Sequence, residues 1–124
     1  MLFPNELSYT KSHEWIRKTE AGYDIGLTDF AQESLGDLVF VNLPQVGDSV
    51  VAEESFCDVE SVKAVSDVYS PVTGTVSEVN DALLDTPELI NKTPYEAWLI
   101  RVTDVTDQAE WLDAKAYEAW TKED

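Results

Sequence analysis

The chain has 124 residues, enough for one domain with a real core and too few for two of ordinary size. Eight Lys and Arg against 25 Asp and Glu give a net charge of −17, which repels phosphate backbones, makes nucleic acid a poor partner and favours basic protein surfaces. Hydrophobic residues reach 44%, enough to fold despite that charge, and a single cysteine excludes an internal disulfide or a multi-cysteine metal site.

The opening MLFPNELSYT has neither a basic nor an apolar signal region, and no run approaches eighteen apolar residues. Neither secretion nor a membrane span is expected, and the cysteine usage suits a reducing, cytoplasmic setting. HEWIRK (13–18) and YDIGL (23–27) predict two strands around the turn Glu20-Ala21-Gly22. In TDFAQESLG, Asp29 with Gln32 three residues on predicts a helix N-cap, and Gly36 its stop. LVFVNL (38–43) is apolar on both faces until Asn42 and predicts a deeply buried strand. SFCDVE and VSDVYS predict strands on either side of Lys63, and GTVSEV (74–79) another after the breaker SPVTG. Pro87 in DTPELIN suits the first position of a helical turn or two. AWLIRVT (97–103) alternates, with Trp98, Ile100 and Val102 on one face. In the tail, Asp107 and Glu110 have capping-box spacing, and Ala109, Leu112, Ala116 and Trp120 share a helical face. The sum is a mainly β domain, a small barrel or sandwich, closed by a C-terminal helix.

From Thr19 to Asn91 the chain carries fifteen Asp and Glu and one cation, Lys63. Pairing its flanking strands about Val62 and Lys63 sets Phe56 opposite Tyr69, Cys57 opposite Val68 and Val59 opposite Ser66. A two-residue hairpin wants positive φ at its centre, which the β-branched Val62 resists. A wider loop from Ser61 to Ala64, built on a type I turn, removes the conflict and leaves Lys63 at the tip with its side chain out. The plain alternative is a solvated surface lysine. A Schiff-base amine needs an apolar pocket or a neighbouring cation, whereas Asp58, Glu60 and Asp67 favour the ammonium. The third reading is an attachment point, acylated by a separate enzyme that removes the proton.

ESVKAVSDVYSPVTGTV (60–76) resembles the lipoyl-attachment segment of glycine cleavage system H proteins. SYTKSHEWIR (8–17), IGLTDFAQESLGDLVFVNLP (25–44), VNDALLDTPELIN (79–91) and LDAKAYEAW (112–120) resemble further segments of that family, in the same order and over nearly the whole chain. The lysine motif alone would fit any lipoyl domain; SHEW with LGDLVFVNLP is specific to the H protein.

The resemblance implies one domain over 1–124 with a barrel-sandwich hybrid fold. It implies a monomeric, non-catalytic shuttle whose cofactor is lipoate bound covalently to Lys63, within the segment Glu60, Ser61, Val62, Ala64. The implied partners are a lipoate-attaching enzyme, a PLP-dependent glycine decarboxylase, an aminomethyltransferase using tetrahydrofolate and an FAD-dependent dihydrolipoyl dehydrogenase. The cofactor supplies the sulfur chemistry and the protein presents it. Glu14 and Asp67 match family positions that shield the aminomethyl-loaded arm, whose ammonium a carboxylate there can accept a charge-assisted hydrogen bond from. Glu60 matches the glutamate that lipoate-attaching enzymes read. For Glu14 and Glu60, a solvated strand residue is the competing reading. Departures are Ser34, where some H proteins carry His, Cys57, often Gly, and PYEAWLI, one residue short before its Trp.

Two other functions share or mimic the modified lysine. One is a lipoate donor that relays lipoyl groups to 2-oxoacid dehydrogenases; the other is a biotinyl carrier, which usually has Met on both sides of its lysine. A free-standing enzyme lacks a nucleophile with a base, since His13 and Cys57 have no orienting third group. Gly36, Pro44, Gly47, Pro71 and Gly74 are read as turn-shaping, and Trp98, Trp111 and Trp120 as core.

Overall fold

A computed structural model describes residues 1–123. The chain enters along β1 (Ser8–Tyr9) and folds the hairpin β2 (Glu14–Thr19) and β3 (Gly22–Leu27). Helix α1 (Asp29–Leu35) leads to β4 (Leu38–Asn42) and the short β5 (Ser49–Val50). β6 (Ser55–Ser61) and β7 (Val65–Tyr69) form the hairpin around Lys63, followed by β8 (Val72–Val79). The one-turn helices α2 (Ala82–Asp85) and α3 (Leu89–Lys92) precede β9 (Ile100–Gln108) and α4 (Ala114–Glu123).

Pairing is antiparallel in two sheets, one ordered β1-β2-β3-β9-β8-β5 and the other β4-β6-β7. Each turns its apolar side to a shared core: Ile25, Val76, Ile100 and Val102 from the larger sheet meet Val41, Val59 and Val68 from the smaller. Full burial of such a side chain contributes about 1.5–3 kcal/mol. The result is a barrel-sandwich hybrid. A second cluster of Leu7, Tyr9, Trp15, Ala114 and Tyr117 packs α4 against the β1–β2 end. There the rings of Tyr9 and Tyr117 stack at 4.6 Å.

Several expectations change. The N-cap of α1 is Thr28, whose hydroxyl accepts from Ala31 N–H at 3.1 Å; Asp29 is the first helical residue and holds the Gln32 amide instead. β4 is not deeply buried. As an edge strand it sends Leu38 and Val41 inward and leaves Val39 and Phe40 exposed. In the Lys63 hairpin Cys57 faces Val68 and Val59 faces Ser66 as expected, but a bulge puts Ser55, not Phe56, opposite Tyr69. β9 starts after Trp98, so Leu99 and Ile100 are both buried while Trp98 stacks beneath Arg101, 3.9 Å away. The strand also runs through Asp107, delaying the last helix until Asp113 accepts from Ala116 N–H at 2.8 Å; its buried residues are Ala114 and Tyr117. Gly74 lies inside β8, where a Cβ would stand 2.7 Å from the Thr103 carbonyl, and shapes close strand packing, not a turn.

Candidate functional site

The site grows from the loop Ser61–Ala64. Ser61 N–H donates to the Ala64 carbonyl at 2.8 Å, and the Ser61 hydroxyl oxygen accepts from the N–H groups of Lys63 and Ala64 at 3.3 and 3.1 Å. Serine thus organises the turn locally. Among the described residues, positive φ outside glycine occurs at His13, Glu53 and Asp104, so Val62 and Lys63 turn without strain. Val62 N–H donates to the Asp37 carbonyl at 3.0 Å, pinning the tip to the segment just after α1.

Lys63 is exposed, and its side chain runs back over Gly36: a Cβ there would stand 3.4 Å from Lys63 Cε and 4.0 Å from Nζ. Gly36 is required by its backbone: its φ of 80° caps the helix, while the lysine passes at a distance that a methyl would meet in ordinary van der Waals contact. Among the described residues Lys63 forms no ion pair. Of its acidic neighbours, Asp58 and Glu60 are engaged by the side-chain amide of Asn42, the latter at 3.4 Å, and Asp67 by Ser55 Oγ at 3.4 Å.

Next to Gly36 in the chain, Leu35 and Ser34 line a cavity of about 130 Å³ whose walls include Ala31, Val59, Ser66 and Asp67. Ser12 borders this cavity and also an adjoining one of about 330 Å³ that Glu14 and Tyr69 line. Glu14 and Asp67 thus lie on neighbouring cavities, not on a common one.

Glu14 is not a solvated strand residue; it is 1% exposed. One carboxylate oxygen accepts from the hydroxyls of Thr10 at 2.6 Å and Ser12 at 2.5 Å, the other from Tyr69 N–H at 3.2 Å. Burial pushes this carboxyl above its ordinary range, and these hydrogen bonds oppose the push. The turn that aims it inward is built by His13, whose φ is 76° and whose N–H donates to the Thr10 carbonyl. That conformation has no signature in SHEW, so the Thr10–Ser12 cradle was not legible in the sequence. Cys57 is buried, and burial together with Asp58, Glu14 and Asp67 holds its thiol protonated.

Residues 7–124 match the model of the Glycine cleavage H-protein family. The chain belongs to that family. A Glycine cleavage system H protein of Lachnoclostridium phytofermentans is 60% identical over 119 residues, covering 95% of this chain and 94% of the relative. One of Bacillus pumilus is 49% identical over the full length of both. The crystal structure of the glycine cleavage system H protein from Mycobacterium marinum superposes with a TM-score of 0.91 at 43% identity, covering 96% of this chain and 98% of the other. H proteins are lipoyl carriers and not enzymes. The residues here suit a group on a long tether: an exposed amine on an unstrained turn, its side chain lying beside Gly36. No helix among the described residues is long and apolar enough to cross a membrane.

Proposed function

We propose that this H protein is the shuttle of glycine cleavage, with lipoate joined to Lys63 Nζ through an amide. The observation that carries the reading is Lys63, alone among carboxylates on an unstrained loop, in a chain 49–60% identical to H proteins. When bound, the lipoyl group supplies a disulfide that ferries an aminomethyl group from a PLP-dependent decarboxylase to a tetrahydrofolate-dependent aminomethyltransferase, and electrons to an FAD-dependent dehydrogenase.

The protein's own residues do the positioning. Ser61 fixes the loop, Val62 anchors it to Asp37, and Ala64 keeps the approach to the amine open. Ser12, Glu14 and Asp67 line neighbouring cavities into which a long arm on Lys63 would fold, where a carboxylate can accept from an incoming ammonium. A cation beside Glu14 also offsets the burial that disfavours its charge. Glu60 is the carboxylate the lipoate-attaching enzyme reads, and the setting is the cytoplasm. Reconstitution with the decarboxylase, transferase and dehydrogenase tests this reading: glycine-dependent CO2 exchange is expected with lipoylated protein, and its absence would favour the lipoate relay.

A further inference from the structure

We propose that the outward face of the three-stranded sheet is where the enzyme that acylates Lys63 docks, with Phe40 and Val65 as its apolar anchors. The inference rests on Lys63 being the lipoyl site. Phe40 pairs with Glu60 across β4 and β6, and Glu60 with Val65 across β6 and β7. The three side chains therefore stand in one row, neighbouring Cβ atoms about 4.5–5.5 Å apart. The alternate row, Val41, Val59 and Ser66, points to the core side, where Val59 is fully buried.

Phe40 is 61% exposed and Val65 67%. Neither contributes much to the core, and both leave apolar surface in water beside the attachment loop, a pattern that marks interaction sites. Val62, equally exposed at the loop tip, extends the patch to the lysine itself. Between the anchors, the Asn42 amide donates to Asp58 and to Glu60 Oε2, which orients Glu60 within the row. The next outward row is Asn42, Asp58 and Asp67. The face is apolar near the lysine and acidic beyond it, so it fits a partner with an apolar recess bordered by basic groups.

Reach selects the occupant. An acylating enzyme must draw Lys63 Nζ into its own active site, so it has to touch residues within a lysine side chain's length of the amine. Enzymes that work on the finished arm act at its far end and have no such need. A second copy of the chain would set −17 against −17, a poor charge match. In the reaction served, an enzyme base takes the ammonium proton and Nζ attacks the acyl carbon of adenylated lipoate. The amide bond forms as the acyl C–O bond breaks, and AMP leaves with that electron pair.

The test is acylation of the apoprotein by an ATP-dependent lipoate-attaching enzyme, followed by intact mass, with thermal melting as a control. Phe40→Ser and Val65→Ser are each expected to raise KM by about tenfold, with kcat and melting little changed. Val65→Thr keeps the side-chain shape and is expected to move KM the same way. Val46→Ser, at an exposed apolar position beside Gly47, whose N–H donates to the Val76 carbonyl of the larger sheet, is expected to change nothing. KM values within about twofold of wild type for the sheet-face variants overturn the proposal. So does a dimer in sedimentation that Phe40→Ser dissociates while acylation stays normal, because the face then belongs to a second copy. A wild-type chain that is never acylated at Lys63 removes the lipoyl-site reading as well, and that outcome is distinguishable from the other two.

Discussion

The backbone N–H of Tyr69 donates to Glu14 Oε2 at 3.2 Å, tying the end of the Lys63 hairpin to the start of β2 in the other sheet. A buried carboxyl is therefore part of what holds the two sheets in register at the site. Burial raises its folded-state pKa above the ordinary 4.5, so the folded chain holds this proton more tightly than the unfolded one. The associated stability is present below about 4.5 and is lost as pH rises through the folded value. Glu14→Gln cannot titrate. Its unfolding free energy relative to wild type is expected to improve steadily as pH climbs from about 4.5, then level off. Denaturant titrations across that range check this; a pH-independent difference contradicts it.

The same carboxylate and Asp67 are proposed to shelter the loaded arm. Glu14→Gln and Asp67→Asn, lipoylated and loaded with the aminomethyl group, are expected to lose it faster than wild type, because each removes a charged acceptor for an ammonium. Half-lives equal to wild type in both variants would remove these residues from the arm's shelter.

Tyr117 reaches from α4 to lie 2.7 Å from the Thr28 hydroxyl and 2.8 Å from His13 Nδ1. One hydroxyl thus joins the C-terminal helix to the N-cap of α1 and to the turn that aims Glu14. Tyr117→Phe keeps the stacking on Tyr9 and deletes these bonds, so a loss of about 1–3 kcal/mol is expected by equilibrium denaturation. An unchanged midpoint would show the junction to be slack.

Gly36 combines a φ of 80° with ψ of −163°, a region in which a Cβ is strained by about 1–3 kcal/mol. Gly36→Ala is expected to lose stability on that scale and its melting temperature to fall, while the added methyl meets the Lys63 side chain only in ordinary van der Waals contact. A variant as stable as wild type contradicts the backbone argument.

What the sequence revealed, and what it hid, follows from the range of the interactions. Two turns were legible because their causes are local: β-branched Val62 resists a tight hairpin, and Gly36 ends α1 where the chain needs positive φ. Lys63 stood out because charge patterning is visible without coordinates. LVFVNL looks buried on both faces in the sequence, but burial of both faces depends on sheet order, and β4 is an edge strand. The bulge at Phe56 and the positive φ of His13 leave no mark in composition or periodicity. For that reason the cradle around Glu14 emerged only from coordinates. Asp107 and Glu110 imitate a capping box, but Asp107 belongs to the end of β9 and the helix begins only at Ala114.

The account depends most on the chemistry of a single amine. Native protein purified from its own cells, digested and sequenced by mass spectrometry, reads that chemistry directly. A lipoyl increment on the peptide spanning Lys63, located on that residue, is the expected result. Unmodified Lys63 in cells growing on glycine, or a lipoyl group on another lysine, would contradict it.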